Sequence, residues 1–161
     1  MSNITLENKK ILIVDDEPDV LESLEEILSM TTTVRAETFE EANSLLESED
    51  FDIAILDIMG VDGYQLLETA TRKNVVTVML TAHALSPDNI KKSYLGGACS
   101  YIPKEEMINI ETFLIDVLTA KEEGKNPWTS WYKRLAKFCE DKFGPDWDKD
   151  EKEFWEKMIY Y

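Results

Sequence analysis

Apolar residues along the chain follow two alternating periods. Short runs rich in branched side chains, "KKILIVDD" (9–16), "TTVRAE" (32–37), "FDIAILD" (51–57), "VVTVMLT" (75–81) and "ACSYIP" (98–103), read as strands. The most apolar of them have the unbroken character of strands buried on both faces. Between them the period lengthens. "EPDVLESLEEILSM" (17–30) carries Val20, Leu21, Leu24, Ile27 and Leu28 as a single helical stripe behind an early proline. "TFEEANSLLESED" (38–50) predicts a helix capped by Thr38, and "DGYQLLETATRK" (62–73) predicts another. "SPDNIKKSYLG" (86–96) offers Ser86 as cap, Pro87 at the first position and a glycine at the end. A last helix follows the fifth strand through about residue 123. Five strand–helix repeats with short connections predict an open parallel α/β sheet with helices on both faces. Such sheets gather their working residues outside the carboxyl ends of the strands.

After residue 123 the alternation stops. "EEGKNP" (122–127) reads as a linker or corner. Beyond it, Trp128, Trp131, Tyr132, Leu135, Phe138 and Cys139 recur at helical spacing, "GPD" stops the run, and Phe154, Trp155, Met158 and Ile159 form a second stripe. The segment 124–161 therefore predicts a helical hairpin appended to a domain at 1–123. All four tryptophans of the 161-residue chain lie in it. Such aromatic density suits an interface. The stripes are expected either to fold back on the first domain or to form a homodimer or downstream partner surface through residues 128–161.

Charge narrows the partners. The net charge is -16, with eight basic against 23 acidic residues over 1–120 and nine against ten over 121–161. An acidic first domain repels polyphosphate backbones, and a near-neutral tail of some forty residues offers no basic face, so no nucleic acid is expected. No run is long and apolar enough for a membrane span, and the first residues lack a signal-peptide core, so a cytoplasmic location is expected. Cys99 and Cys139 fit no metal-ligand spacing and are read as reduced thiols.

Polar residues stand at the strand ends: Asp15 and Asp16 after the first, Asp57 after the third, Thr81 closing the fourth, Lys104 after the fifth. In a parallel sheet these converge. Two unit charges about 4 Å apart repel by roughly 4 kcal/mol at an effective dielectric near 20. A divalent cation removes that cost, and hard oxygen ligands suit Mg2+.

These residues and their order, in "VDDEP", "LD", "MLTA" and "YIPK", resemble the receiver domain of two-component response regulators over roughly residues 8–122. The resemblance implies a flavodoxin-like sheet of order 2-1-3-4-5. It also implies phosphorelay signalling, in which Asp57 accepts a phosphoryl group from a sensor histidine kinase or phosphotransfer protein. Asp16, Asp57 and the Met59 carbonyl would hold Mg2+, with Asp15 acting through a water. Thr81 and Lys104 would contact the phosphoryl oxygens, and Thr81 and Tyr101 would form the switch. His83 would line the rim.

Two positions depart from the family pattern. The loop from Asp57 to Gly63 is short and lacks the usual proline, and Glu105 follows Lys104 where a proline is customary. A trans Lys104–Glu105 bond is expected, because a non-proline cis bond costs about 3 kcal/mol. The competing class is a Mg2+-dependent small-molecule phosphatase or phosphotransferase with Asp57 as nucleophile. That chemistry needs an acid two residues on, where Met59 stands. A signalling role with no enzymatic turnover is the expectation.

Overall fold

The structure, a computed structural model, describes residues 4–82, 86–149 and 151–160. Five strands, β1 (Lys10–Val14), β2 (Thr32–Ala36), β3 (Ile53–Leu56), β4 (Val76–Thr81) and β5 (Ser100–Pro103), form one parallel sheet in the order β2-β1-β3-β4-β5. Every residue of β3 and β5 is buried, as are all but the first of β1 and β4. Successive strand residues point to opposite faces, so both faces of the central sheet are covered. The cover is α1 (Pro18–Ile27), α2 (Phe39–Ser48), α3 (Gly63–Arg72), α4 (Pro87–Leu95) and α5 (Ile110–Glu122). The fold class read from the periodicity is the fold observed.

Local chemistry sets the helix boundaries. Thr38 and Ser86 adopt extended backbone, and their hydroxyls accept from the N–H groups of Glu41 at 3.2 Å and Asn89 at 3.1 Å. Each satisfies a donor that the first helical turn leaves orphaned. The segment after β5 differs from the single helix expected there. It opens as a 3-10 helix, Lys104–Asn109, before α5 begins. The Lys104–Glu105 bond is trans, and no described residue follows a cis bond.

The appended segment is an antiparallel hairpin of α6 (Pro127–Phe143) and α7 (Lys152–Tyr160). Gly144, with φ 96°, ends α6 in a conformation that side chains avoid. Residues 145–148 form turns between the helices, and α7 begins at Lys152, just ahead of its apolar stripe. At the open end of the hairpin, Asn126 and Thr129 donate to the last carbonyls of α7, those of Met158 and Ile159.

The hairpin folds back. Trp128, Trp131, Leu135, Cys139, Trp155, Met158 and Ile159 are all buried, in the same apolar cluster as the sheet core. Both cysteines are buried free thiols, and burial pushes the Cys139 thiol up to about 12. Tyr94 of α4 sits edge-on to Trp128 at 5.8 Å and to Phe154 at 5.7 Å. Two indole N–H groups reach the edge of the sheet: Trp128 donates to the Ala98 carbonyl at 2.9 Å and Trp131 to the Tyr101 carbonyl at 2.7 Å. Ion pairs Arg134–Asp116, Lys91–Glu151 and Lys142–Glu105 ring the contact. Exposed pairs of this kind contribute at most about 1 kcal/mol each, whereas each buried indole hides some 150–250 Å². The apolar contacts dominate. The stripes that the sequence offers to a homodimer or downstream partner are consumed within the chain.

One cooperative unit should result. Tryptophan fluorescence reports only on the hairpin, and far-ultraviolet circular dichroism on the whole chain. Their urea unfolding curves should coincide, and Leu135→Ala should lower both midpoints together, by about 2–4 kcal/mol. A fluorescence transition preceding the dichroism transition would show a hairpin that melts alone.

Candidate functional site

The ladder continues one residue past the strands at their carboxyl ends. The Asp15 N–H donates to the Ala36 carbonyl at 3.2 Å and the Asp57 N–H to the Val14 carbonyl at 3.0 Å. These bonds fix the two carboxylates side by side at the mouth of the sheet. Asp15 is 1% exposed and Asp57 5%. In β4–β5 the register pairs Thr81 with Pro103, so Lys104 follows at the level of the fourth strand's end. Thr81 is buried there. Pro103 lies in the last strand of the sheet, where a missing N–H is tolerated.

Among the described residues, a single ammonium serves this acidic corner. Lys104 Nζ lies 2.9 Å from Asp15 Oδ2, 3.5 Å from Glu17 Oε1 and 3.8 Å from Asp57 Oδ1. Burial would pull its pKa down, but Asp15, Asp57 and Glu17 together outweigh that and hold it up. The carboxylates respond oppositely. Burial raises the pKa of Asp15 even against its ion pair with Lys104. Burial, followed by the charges of Asp15 and Asp16, pushes Asp57 up to about 7, with Lys104 pulling the other way. One cation is not enough for the site.

The loop after Asp57 is built around two close approaches. Gly63 begins α3, and its N–H donates to the Ile58 carbonyl at 3.0 Å. A Cβ on Gly63 would fall 2.1 Å from the Asp57 carbonyl oxygen, so this short loop requires glycine there. Gly60, with φ 85°, stands against the Asp16 carboxylate, and a Cβ would come within 2.5 Å of Asp16 Oδ2. Asp62 takes up the remaining curvature with φ 53°. Met59 lies on this loop, 54% exposed.

Oxygen atoms of Asp15, Asp16 and Glu17 lie within 4.8 Å of one another. Asp15 Oδ1 accepts from the Glu17 N–H at 2.9 Å, while its buried Oδ2 has the Lys104 ammonium nearby but no donor in hydrogen-bond geometry. An under-satisfied buried oxygen, converging carboxylates and an all-oxygen donor set fit a small hard dication such as Mg2+. Glu17 belongs to this corner although the sequence singles out only its two neighbours. Its position just before Pro18 reads as a helix start, and only the reach of Lys104 across the sheet reveals the contact.

Of the remaining predicted residues, Tyr101 is buried within β5, with the backbone of Ser86 near its hydroxyl. Burial raises its pKa. His83, expected on the rim, lies outside the described residues.

The doubly covered parallel sheet thus carries an acidic pocket and a lysine at its carboxyl edge. A family model, "Response regulator receiver domain", matches residues 11–113, and the chain belongs to that family. The chain is 35% identical over 101 residues to the heme response regulator HssR of Staphylococcus aureus, covering 58% of this chain and 43% of that one. It is 34% identical over 101 residues to the two-component response regulator ARR18 of Arabidopsis thaliana, covering 59% and 16%. It thus spans less than half the length of these curated relatives. A CheY-like receiver domain protein of Methanospirillum hungatei superposes with TM-score 0.63 at 30% identity, over 72% of this chain and 98% of that one. Among the described residues no helix is long and apolar enough to cross a membrane.

The raised Asp57 pKa carries a stability consequence of defined sign. The folded chain holds a proton at Asp57 that the unfolded chain, with an ordinary value of 3.8, has released. Stability from this group is therefore complete at low pH and is lost as pH rises from about 4 to about 7. With a chelator present, Asp57→Asn should be more stable than the parent at pH 8 by about 1–3 kcal/mol, the gap closing towards pH 4. Urea midpoints at the two pH values measure it. A variant no more stable than its parent at pH 8 would contradict the electrostatic account.

Proposed function

We propose that the chain is a phosphoacceptor switch: Asp57 takes a phosphoryl group from a sensor histidine kinase or a phosphotransfer protein, in a Mg2+-dependent step within the cytoplasm. The observation that carries this reading is the buried Asp57 carboxylate beside Asp15, opposed by one lysine 3.8 Å away. Asp15, Asp16, Asp57 and the Met59 carbonyl would hold the ion, with Glu17 near enough to compete for it or for Lys104. When bound, the ion would supply positive charge against the phosphoryl oxygens.

The chain's own residues account for the rest. An Asp57 oxygen attacks phosphorus, the bond from phosphorus to the donor nitrogen breaks, and the donor histidine leaves with that electron pair. Phosphoryl transfer asks the protein for in-line positioning and charge stabilisation. Lys104 would pass from its carboxylate partners to a phosphoryl oxygen, and the Thr81 hydroxyl would donate to another. Tyr101 would respond by occupying the space behind Thr81. Residues 1–123 are the proposed receiver and 124–161 a helical extension that acts by protein contact and not by nucleic-acid binding. The competing phosphatase reading lacks its acid, since the position two after Asp57 is Met59.

Incubating the full chain with acetyl phosphate and Mg2+ should add the mass of one phosphoryl group, removable by hydroxylamine. Asp57→Ala should show none. Lys104→Ala should slow labelling by roughly a hundred- to a thousandfold, the scale of losing one preorganised donor at a transition state. Steady release of phosphate from small phosphate esters without a stable adduct would favour the phosphatase instead.

A further inference from the structure

The extension touches the proposed switch at a specific point. Trp131, 2% exposed, donates its indole N–H to the Tyr101 carbonyl at 2.7 Å. Met79 pairs with Tyr101 across β4–β5, and Thr81 stands two residues beyond Met79. By the two-residue alternation of a strand, Thr81 and Tyr101 point to the same face of the sheet. The hydroxyl end of Tyr101 lies by the Ser86 backbone at the cap of α4. The extension grips α4 in turn, through Tyr94 between Trp128 and Phe154 and through the Lys91–Glu151 ion pair. A third link, Lys142 to Glu105 at 3.2 Å, touches the residue next to Lys104.

We propose that Trp131 is a positioning residue for phosphoryl acceptance: by holding the β5 backbone at Tyr101 it keeps that ring inside the fold, the arrangement Thr81 needs when it turns to the phosphoryl group. The inference rests on the proposed phosphoacceptor role of Asp57. It assigns a sign. A chain already in the competent arrangement binds the phosphoryl group without first paying for the rearrangement, and apparent affinity rises with the fraction so arranged. Linkage is reciprocal, so phosphorylation strengthens the hold of the extension. A strap released by phosphorylation would show the opposite sign in every such measurement, and the depth at which three tryptophans are buried opposes release.

Trp128 supplies a matched control. It is equally buried, on the same helix, and donates to the Ala98 carbonyl ahead of β5, and Trp128→Phe keeps an aromatic ring against Tyr94 and Trp131 while removing only that hydrogen bond. Beryllofluoride, a phosphoryl mimic, would be titrated with Mg2+ into the full chain and followed by fluorine NMR. Trp131→Phe should raise the half-saturating concentration about three- to tenfold, the scale of one lost hydrogen bond, while Trp128→Phe shifts it less than about twofold. If W131F does not fold, benzothienylalanine at position 131 keeps the bicyclic shape, replaces N–H by sulfur and serves the same titration. An unchanged Trp131 variant, equal shifts in both variants, or tighter binding by W131F each overturns the proposal. Failure of the unmodified chain to form any hydroxylamine-labile adduct with acetyl phosphate would instead remove the phosphoacceptor reading, and this inference with it.

Discussion

An unequal balance of charge in a dry corner governs this molecule. Asp15 and Asp57 are tied to the ends of their strands by backbone hydrogen bonds, so neither can retreat from the other. Asp16 and Glu17 add negative charge just ahead of α1, and among the described residues Lys104 alone answers it. Much of the surrounding construction keeps that imbalance in place. Gly63 lets α3 start against the Asp57 backbone, and Gly60 leaves the Asp16 carboxylate room that any side chain would take. A protein that needed only stability would place apolar groups there.

The sheet was legible because its signals are local. Branched runs mark strands, Thr38 and Ser86 mark helix starts, and the polar residue after each run must fall at the carboxyl edge once the strands are parallel. The double cover follows from the same pattern, whereas the strand order is legible only through the resemblance to receiver domains. What escaped the sequence depends on contacts across the fold. Glu17 reads as a helix-start residue until Lys104 arrives from 87 positions away. Residues 104–109 carry apolar and acidic residues like any helix start, yet take a tighter turn.

The extension shows the same division. Its two apolar stripes were plain, and their helical character was correctly read. Their destination stayed between two readings, folding back on the first domain or facing a partner, since a stripe carries no address. The indole N–H groups settle the seating, because Trp128 and Trp131 each find a backbone acceptor at or beside β5. A buried indole needs a partner for its one donor. That requirement converts a greasy surface into a registered one.

The seating of α6 also changes how molecules meet at high concentration. A sheet of this order has two margins, β2 and β5. Along the second, indole donors and the ring of Pro103 take the place that another molecule's strand would need. The first margin is the sheet's least buried strand, "TTVRA", with Arg35 paired to Glu25 across its flank. Polar, charged margins of this kind discourage lateral growth into fibrils. Both margins of the sheet are thereby guarded against pairing with a second molecule.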